Sequence, residues 1–152
     1  LPTQEARLSE RTAANCLLPH ALPADAGQRI ALYALRRMAA GGIADAHAAN
    51  LFFTTFGLHF RRPLVLIRAF MLDMAQCSRR TIRLAPCCAP RMTEDEARLL
   101  DGLRFAGRNP ALAARQLAQL VGHGQVCAPL GTAAAFGNAL ADLGRPLSDR
   151  DL

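Results

Sequence analysis

The sequence contains no lysine and no tryptophan, and Tyr33 is its only tyrosine. Aromatic residues make up 5% of the chain, which disfavours a sheet core built on aromatic side chains. His59, Arg61 and Pro63 interrupt the most apolar stretch, so no run reaches the roughly 20 residues that a membrane-spanning helix needs. Residues 1–15 lack the continuous apolar segment of a secretion signal. These absences predict a cytoplasmic protein with reduced thiols and no transmembrane segment.

The composition that remains favours helices. Of the 152 residues, 51% are apolar, and the core must come from leucine, alanine, methionine and seven phenylalanines. Apolar residues recur at helical spacing in six segments, and no convincing strand separates them. We predict an all-α fold, a single compact bundle of about six short helices. The helices are expected at about 26–40, 45–56, 63–77, 94–106, 110–121 and 131–143, in a domain of residues 24–147 with a loosely structured lead-in (1–23) and a tail (148–152).

Three capping signals predict where helices begin. Asp25 is expected to cap the first helix, because its carboxylate can accept a free N–H of the first turn. Thr93 and Glu96 have the spacing of a capping box. Asn109 followed by Pro110 is typical of a cap and a first helical residue.

The third predicted helix is apolar nearly all round, which predicts a central position with neighbours on most sides. Arg68 and Asp73 are its only interior charges. Five residues place them about 140° apart on a helix, so they cannot pair with each other. Each therefore needs a partner on another element or access to solvent. Residues 81–84 alternate like a strand but have no mate, which predicts an extended connector.

The net charge of +6 is concentrated in the middle of the chain. Residues 29–91 carry ten arginines against Asp45 and Asp73, a local excess of eight positive charges. A basic surface of this kind attracts phosphate, anionic lipid or an acidic protein partner. The alternative is that the arginines only rim and solubilise apolar helices. The predicted partner-binding residues are Arg36, Arg37, Arg61, Arg62, Arg79, Arg80, Arg83 and Arg91.

Two adjacent thiols, Cys87 and Cys88, lie between Pro86 and Pro90. The prolines exclude helix interior and stiffen the loop. A stable disulfide between neighbouring residues is not expected, because it closes a strained ring. The two thiols can therefore act as metal ligands, take part in thiol exchange, or only pack the loop onto the core.

For the metal interpretation, Cys77 and His59 complete a set with Cys87 and Cys88, and Zn or Fe is the expected ion. His47 is a further candidate ligand. The chain has no Cys-x-x-Cys pair, which is the spacing that usually announces such a site.

His47, Asn50 and Thr54 fall on one stripe of the second predicted helix. They can form the wall of a polar pocket, or they can lie on a wet face. No catalytic residue is predicted, since no serine has an activating context and no glycine-rich phosphate loop is present.

We predict a non-enzymatic binding or regulatory protein that uses its basic middle third, with a protein partner or an acidic surface as ligand. The first alternative is a metal- or thiol-dependent protein centred on Cys87 and Cys88. The second is nucleic-acid binding, in which Phe52, Phe56 or Phe60 stacks on bases, although these side chains fit core positions better.

Five segments carry a resemblance: RRMAA (36–40) with DAHAA (45–49), RRPLVL (61–66), APCCAPRMT (85–93) and ADLGRPL (141–147). Over about residues 16–147 the chain resembles a family of short alphaproteobacterial proteins of unknown function, found in sphingomonad-type genomes. That family has a third cysteine where this chain has Ala89, so metal binding here would recruit Cys77 or a histidine instead. The resemblance implies origin and cytoplasmic location, and it implies no activity, cofactor or catalytic residue.

Overall fold

Residues 18–148, described by a computed structural model, form six α-helices, a short 3-10 turn and one pair of two-residue strands. The all-α prediction is therefore confirmed. The strands β1 (His20–Ala21) and β2 (Arg91–Met92) pair antiparallel, and the 3-10 turn is Gly57–His59. The helices are α1 (Ala26–Gly41), α2 (Ala46–Phe56), α3 (Arg61–Cys77), α4 (Glu94–Phe105), α5 (Pro110–Val121) and α6 (Cys127–Asp142).

The division into lead-in, domain and tail falls partly outside the described residues, which begin at residue 18 and end at residue 148. Within them, Arg91 donates to the carbonyl oxygens of Leu18 and Pro19, close to the β1–β2 pair. Near the other end, the Ser148 hydroxyl donates to Asp25 at 2.8 Å. Both ends of the described chain therefore attach to helical residues or to the strand pair.

The predicted caps begin the helices as expected. Asp25 accepts from the Gln28 N–H at 2.9 Å. Asp45, which was expected as the first residue of its helix, also proves to be a cap and accepts from the Ala48 N–H at 3.0 Å. Thr93 begins α4 with the complete capping box, and Asn109 begins α5 with Pro110 as the first helical residue. These side chains satisfy N–H groups that the first turn leaves without a helical partner.

α6 begins at Cys127, four residues before the predicted start at residue 131. Val126 stands at its cap position and makes no side-chain hydrogen bond. Pro129 falls in the first turn, where the missing N–H has no intrahelical acceptor to lose. The start therefore carries no capping signal that the sequence could reveal.

The core lies between two helix layers in which α3 packs on α6 and α4 packs on α5, with α1 and α2 joined at one side. Phe52, Phe70 and Phe136 are fully buried, and the rings of Phe52 and Phe136 lie 6.4 Å apart. These rings connect α2 to α6. The core is a single cluster rather than two separate ones.

The third helix packs against α1, α2 and α6, but one side of it has no neighbour among the described residues. Ile67, Phe70 and Met74 of α3 are buried, whereas Val65 and Leu72 are exposed. Asp73 finds a partner on another element, since the Thr132 hydroxyl of α6 donates to it at 3.1 Å. One apolar face of α3 therefore remains open to solvent.

Candidate functional site

Cys87 and Cys88 occupy the middle of a tight turn between the two prolines. The Ala89 N–H donates to the Pro86 carbonyl oxygen at 3.0 Å and closes this turn. Residues 81–86, which lead into it, form neither helix nor strand, so the predicted connector is confirmed. Cys87 is half-buried and Cys88 is exposed. One thiol therefore lies against the protein and the other meets solvent.

A buried ion pair between α1 and α4 holds both ends of the cysteine turn. Arg36 donates to the two carboxylate oxygens of Glu96 at 2.8 and 3.0 Å, and their side chains are 3% and 0% exposed. Arg36 also donates to the carbonyl oxygens of Ala89 at 3.1 Å and Arg91 at 2.8 Å. Glu96 in turn accepts from the Ala85 N–H at 2.8 Å. The backbone on both sides of the thiols is thus fixed from the interior.

A second arginine of α1 lies beside the cysteine turn. Arg37 donates to both carboxylate oxygens of Asp45, at 3.2 and 2.9 Å, and its charge also interacts with the Cys87 side chain. The hydrogen bond from Arg37, followed by that from the Ala48 N–H, lowers the pKa of the Asp45 carboxyl to about 2. The same bond to Asp45, with a smaller contribution from Cys87, raises the pKa of Arg37. Arg37 therefore remains a cation beside the cysteine turn.

The structure does not bring the four predicted metal ligands together. His59 and Cys77 lie at opposite ends of α3, which a rise of 1.5 Å per residue places about 27 Å apart. Ligands of one zinc or iron ion must all lie within about 2.3 Å of it, so these two cannot complete one site with Cys87 and Cys88. No group of three or more His, Cys, Asp or Glu side chains within residues 18–148 is arranged to hold a metal ion.

His47, Asn50 and Thr54 lie on an exposed face of α2. The Thr54 hydroxyl donates to the Asn50 and Leu51 carbonyl oxygens of its own helix. The geometry corresponds to the wet-face interpretation of this stripe rather than to a pocket wall.

Arg36 needs a correction, because its burial beneath the cysteine turn removes it from any partner-binding surface. Four further members of the predicted set bind within the protein, and one of them is Arg37, which pairs with Asp45. Arg62 pairs with Asp142 at 2.7 Å, and Arg80 pairs with Asp95 at 3.1 Å. Arg91 donates to the Leu18 and Pro19 carbonyl oxygens.

Arg61, Arg79 and Arg83 remain as exposed members of the predicted set. Their guanidinium groups have no hydrogen-bond or ion-pair partner among residues 18–148. Arg61 lies at the start of α3, and the other two follow its end, so the basic residues are spread along this helix rather than gathered in one patch.

Residues 10–145 match the model of the DUF6628 family, which is described as a family of unknown function. The chain belongs to the DUF6628 family. The match covers the cysteine turn and all six helices, and it confirms the resemblance to an uncharacterised family. No curated protein and no solved structure matches the chain. The alphaproteobacterial origin stays a prediction.

Two further features of this DUF6628 chain bear on the site and its surroundings. His123, which the sequence does not single out, donates from Nε2 to the Cys77 carbonyl oxygen at 2.6 Å, and its Nδ1 accepts from the Gln125 N–H. It therefore holds the end of α3 against the loop after α5. Among residues 18–148, no helix is long and apolar enough to cross a membrane.

Phe52, one of the three candidates for base stacking, is buried in the DUF6628 core with its ring against Phe56 and Phe136. Phe56 and Phe60 are half-buried and pack against the core. The core interpretation of these rings is therefore correct, and stacking on bases would require them to leave it.

Proposed function

We propose that this protein is a non-enzymatic binding module that uses its basic middle third to hold an anionic partner surface. The observation that carries the proposal is the charge of residues 46–90, which contain six arginines and a single acid, Asp73. That acid accepts a hydrogen bond from Thr132 and does not pair with any of the six. Arg62 and Arg80 pair with acids outside this stretch, and the other four arginines have no ion-pair partner among residues 18–148.

The exposed arginines of this stretch are the groups that would meet the partner. Arg61, Arg79 and Arg83 direct their charge to solvent without a described partner. A cation that makes no internal pair gives up no contact within the protein when it binds an external anion, whereas Arg36 would have to leave Glu96. The surface available for binding is thus smaller than the sequence suggests and lies along α3 and just beyond it.

The test compares two double charge reversals on a column of immobilised sulfated polysaccharide, a general polyanion. Arg61→Glu with Arg79→Glu changes the proposed surface. Arg115→Glu with Arg145→Glu changes two other exposed arginines by the same amount and serves as the matched control. Each double variant lowers the formal net charge from +6 to +2.

We expect the first variant to elute at clearly lower salt than the control, because loss of local contacts reduces the number of counterions released on binding. Equal elution of the two variants would mean that retention reports only net charge, and the proposal would be abandoned. Circular dichroism of both variants checks that the helices are intact.

Thiol exchange at Cys87 is a second candidate function, favoured by the clamped turn and by the Arg37 contact. In this reaction the Cys87 thiolate attacks an external disulfide. A new S–S bond forms to one half of it, the other half leaves as a thiolate, and the cysteine proton passes to solvent. Arg37 is the side chain whose charge interacts with this sulfur.

The corresponding experiment measures the rate of reaction with a chromogenic aromatic disulfide. We expect Cys87→Ser to remove the fastest-reacting thiol and Arg37→Gln to slow it about threefold or more, with Arg37→Lys restoring most of the rate. If Cys88→Ser removes the fast phase and Cys87→Ser does not, exposure rather than the arginine contact governs reactivity.

A further inference from the structure

An alternating stripe of apolar and cationic residues runs along the outer side of α3 and the 3-10 turn before it. Its members are Leu58, Arg61, Val65, Arg68 and Leu72. They follow one another at intervals of three and four residues, which places them within about 80° of arc on a helix. The stripe is therefore continuous from the 3-10 turn to Leu72.

The aliphatic members of this stripe are unusually open to water. Leu58 is 89% exposed, Val65 is 60% exposed and Leu72 is 44% exposed. On the opposite side of α3, Ile67 and Phe70 are fully buried. The aliphatic members of the stripe thus lie on the face of α3 that points away from the core.

The cations of the stripe have no acid beside them. Arg61 is exposed without a described partner, and the Nε of Arg68 is buried without a hydrogen bond among residues 18–148. The single acid of α3, Asp73, lies about 80° around the helix from Val65 and is bonded to Thr132 of α6. The stripe itself therefore carries positive charge only, and the nearest exposed acid at its beginning, Asp142, is paired with Arg62.

Phe53 of α2 extends the apolar surface at one end of the stripe. It is exposed, and its ring meets that of Phe60 edge to face at 5.4 Å, directly before α3 begins. Next to it, Leu58, His59, Arg61 and Arg62 border a shallow hollow of about 290 Å³. The beginning of α3 therefore combines a protruding leucine, an aromatic ring and three titratable or cationic side chains.

We propose, as a further step that rests on the proposed binding function, that this α3 stripe lies on the surface of an anionic lipid bilayer. Aliphatic side chains in the plane of the interface enter the boundary between headgroups and acyl chains. Arginines between them keep their stems in the apolar layer and their guanidinium groups at the lipid phosphates. An anionic bilayer is the partner that can contact both the aliphatic side chains and the arginines of the stripe.

A nucleic acid fits this face less well. Phosphates would bind Arg61 and Arg68, but Leu58, Val65 and Leu72 would stay in water, and the strand would find only Phe53 as an exposed ring. A second copy of the chain would bury the aliphatic residues and bring arginines of like charge together. Charge complementarity therefore favours the lipid surface over both.

The experiment measures co-sedimentation of the full chain with vesicles of phosphatidylcholine alone and of phosphatidylcholine with about one third phosphatidylglycerol. We expect binding to the anionic vesicles only, and a partition coefficient that falls about tenfold or more in the double variant Leu58→Ser with Val65→Ser. Leu22→Ser is the control, because it changes an exposed leucine outside α3. We expect it to bind within about twofold of the wild type.

Three other outcomes would each overturn one or both proposals. Binding to anionic vesicles that the double serine variant retains in full would overturn the role of the stripe. Retention on the polysaccharide column with no vesicle binding would overturn the lipid surface and leave the proposed function standing. Failure in both assays would overturn both proposals.

Two macromolecular alternatives are separated by the same variants. Light scattering that shows a dimer in the wild type and a monomer in the double serine variant, without vesicle binding, would make the stripe a contact between copies. Tight binding of duplex DNA, unaffected by Leu58→Ser, would assign the cations to nucleic acid and the lipid proposal would be wrong.

Discussion

Glu96 is the residue on which the shape of the cysteine turn depends most. Its carboxylate accepts from Arg36, from the Ala85 N–H and from the Thr93 N–H, so its oxygens are fully engaged although no water reaches them. The same side chain thus completes the capping box of α4 and neutralises a buried arginine of α1. A single carboxylate thereby links the start of one helix, the middle of another and the turn between the prolines.

Replacing Glu96 with glutamine keeps the shape of the side chain and removes its charge. We expect Glu96→Gln to lower the free energy of unfolding by roughly 3–5 kcal/mol, because the Arg36 cation would remain buried without a counter-charge. Urea denaturation followed by circular dichroism measures this loss. Glu94→Gln is the control, since Glu94 is exposed and its pairs with Arg98 and His20 are worth less than about 1 kcal/mol. A loss no larger than that of the control would contradict the role assigned to the buried pair.

The lowered pKa of Asp45 leads to a prediction about the stability of the fold at acid pH. Because its pKa is held near 2 in the folded chain, below the ordinary value of 3.8, its ionised form stabilises the fold at every pH above about 4. That contribution is lost as the pH falls from about 4 to about 2. We expect Asp45→Asn, which can still cap α2, to be less stable at neutral pH and to lose less stability over this interval.

Thermal unfolding between pH 2 and pH 7 measures the effect. Asp25→Asn is the matched variant at the cap of α1, where the carboxylate meets Gln28 and Ser148 instead of an arginine. Parallel pH profiles of the wild type and Asp45→Asn would show that the Arg37 contact does not stabilise the fold.

At the scale of elements, local chemistry predicts most helix boundaries and little of what surrounds them. The starts at Asp25, Asp45, Thr93 and Asn109 follow from side chains that bond within three residues of their own position. The start of α6 has no such side chain, and the strand pair depends on a partner about 70 residues away. Contacts across such distances leave no periodic trace in the sequence.

The same limit explains why only part of the candidate site can be predicted from the sequence. The prolines and the two adjacent thiols predict a stiff turn, but nothing near Arg36 indicates that it is buried against a residue 60 positions later. Apolar periodicity likewise cannot tell a covered leucine from an exposed one, so α3 was expected to be surrounded although Val65 and Leu72 are open. The exposed stripe therefore became visible only in three dimensions.

Two glycines in helices test how closely α4 and α5 pack. A Cβ at Gly102 would lie 2.5 Å from Cδ2 of Leu117, whose side chain is fully buried, while a Cβ at Gly131 of α6 would meet nothing within 4 Å. We expect Gly102→Ala to destabilise by about 1–3 kcal/mol through overpacking. Gly131→Ala should stabilise by about 0.5–1 kcal/mol, because alanine loses less backbone entropy in a helix. A urea midpoint of Gly102→Ala that is no lower than that of the wild type would refute the close approach of α4 and α5.

At the scale of the whole molecule, two contacts tie the first two helices to the others. The Phe52 ring of α2 meets Phe136 of α6, and Arg36 of α1 is paired with Glu96 of α4. Since each contact is buried, α1 and α2 cannot separate from the other helices without exposing a ring or an uncompensated charge. The described helices should therefore unfold as one cooperative unit.

Tyr33 allows this to be tested without labels. It is the only tyrosine in a chain without tryptophan, so its fluorescence reports on α1 alone, whereas circular dichroism reports on all helices. We expect coincident urea transitions by the two signals in the wild type. Phe136→Ala should lower the free energy of unfolding by about 3–5 kcal/mol and move both transitions together, although Phe136 lies in α6 and Tyr33 in α1. A Tyr33 transition at lower urea concentration than that of circular dichroism would mean that α1 opens on its own. The turn held by Arg36 would then open in a local equilibrium, before the whole protein unfolds.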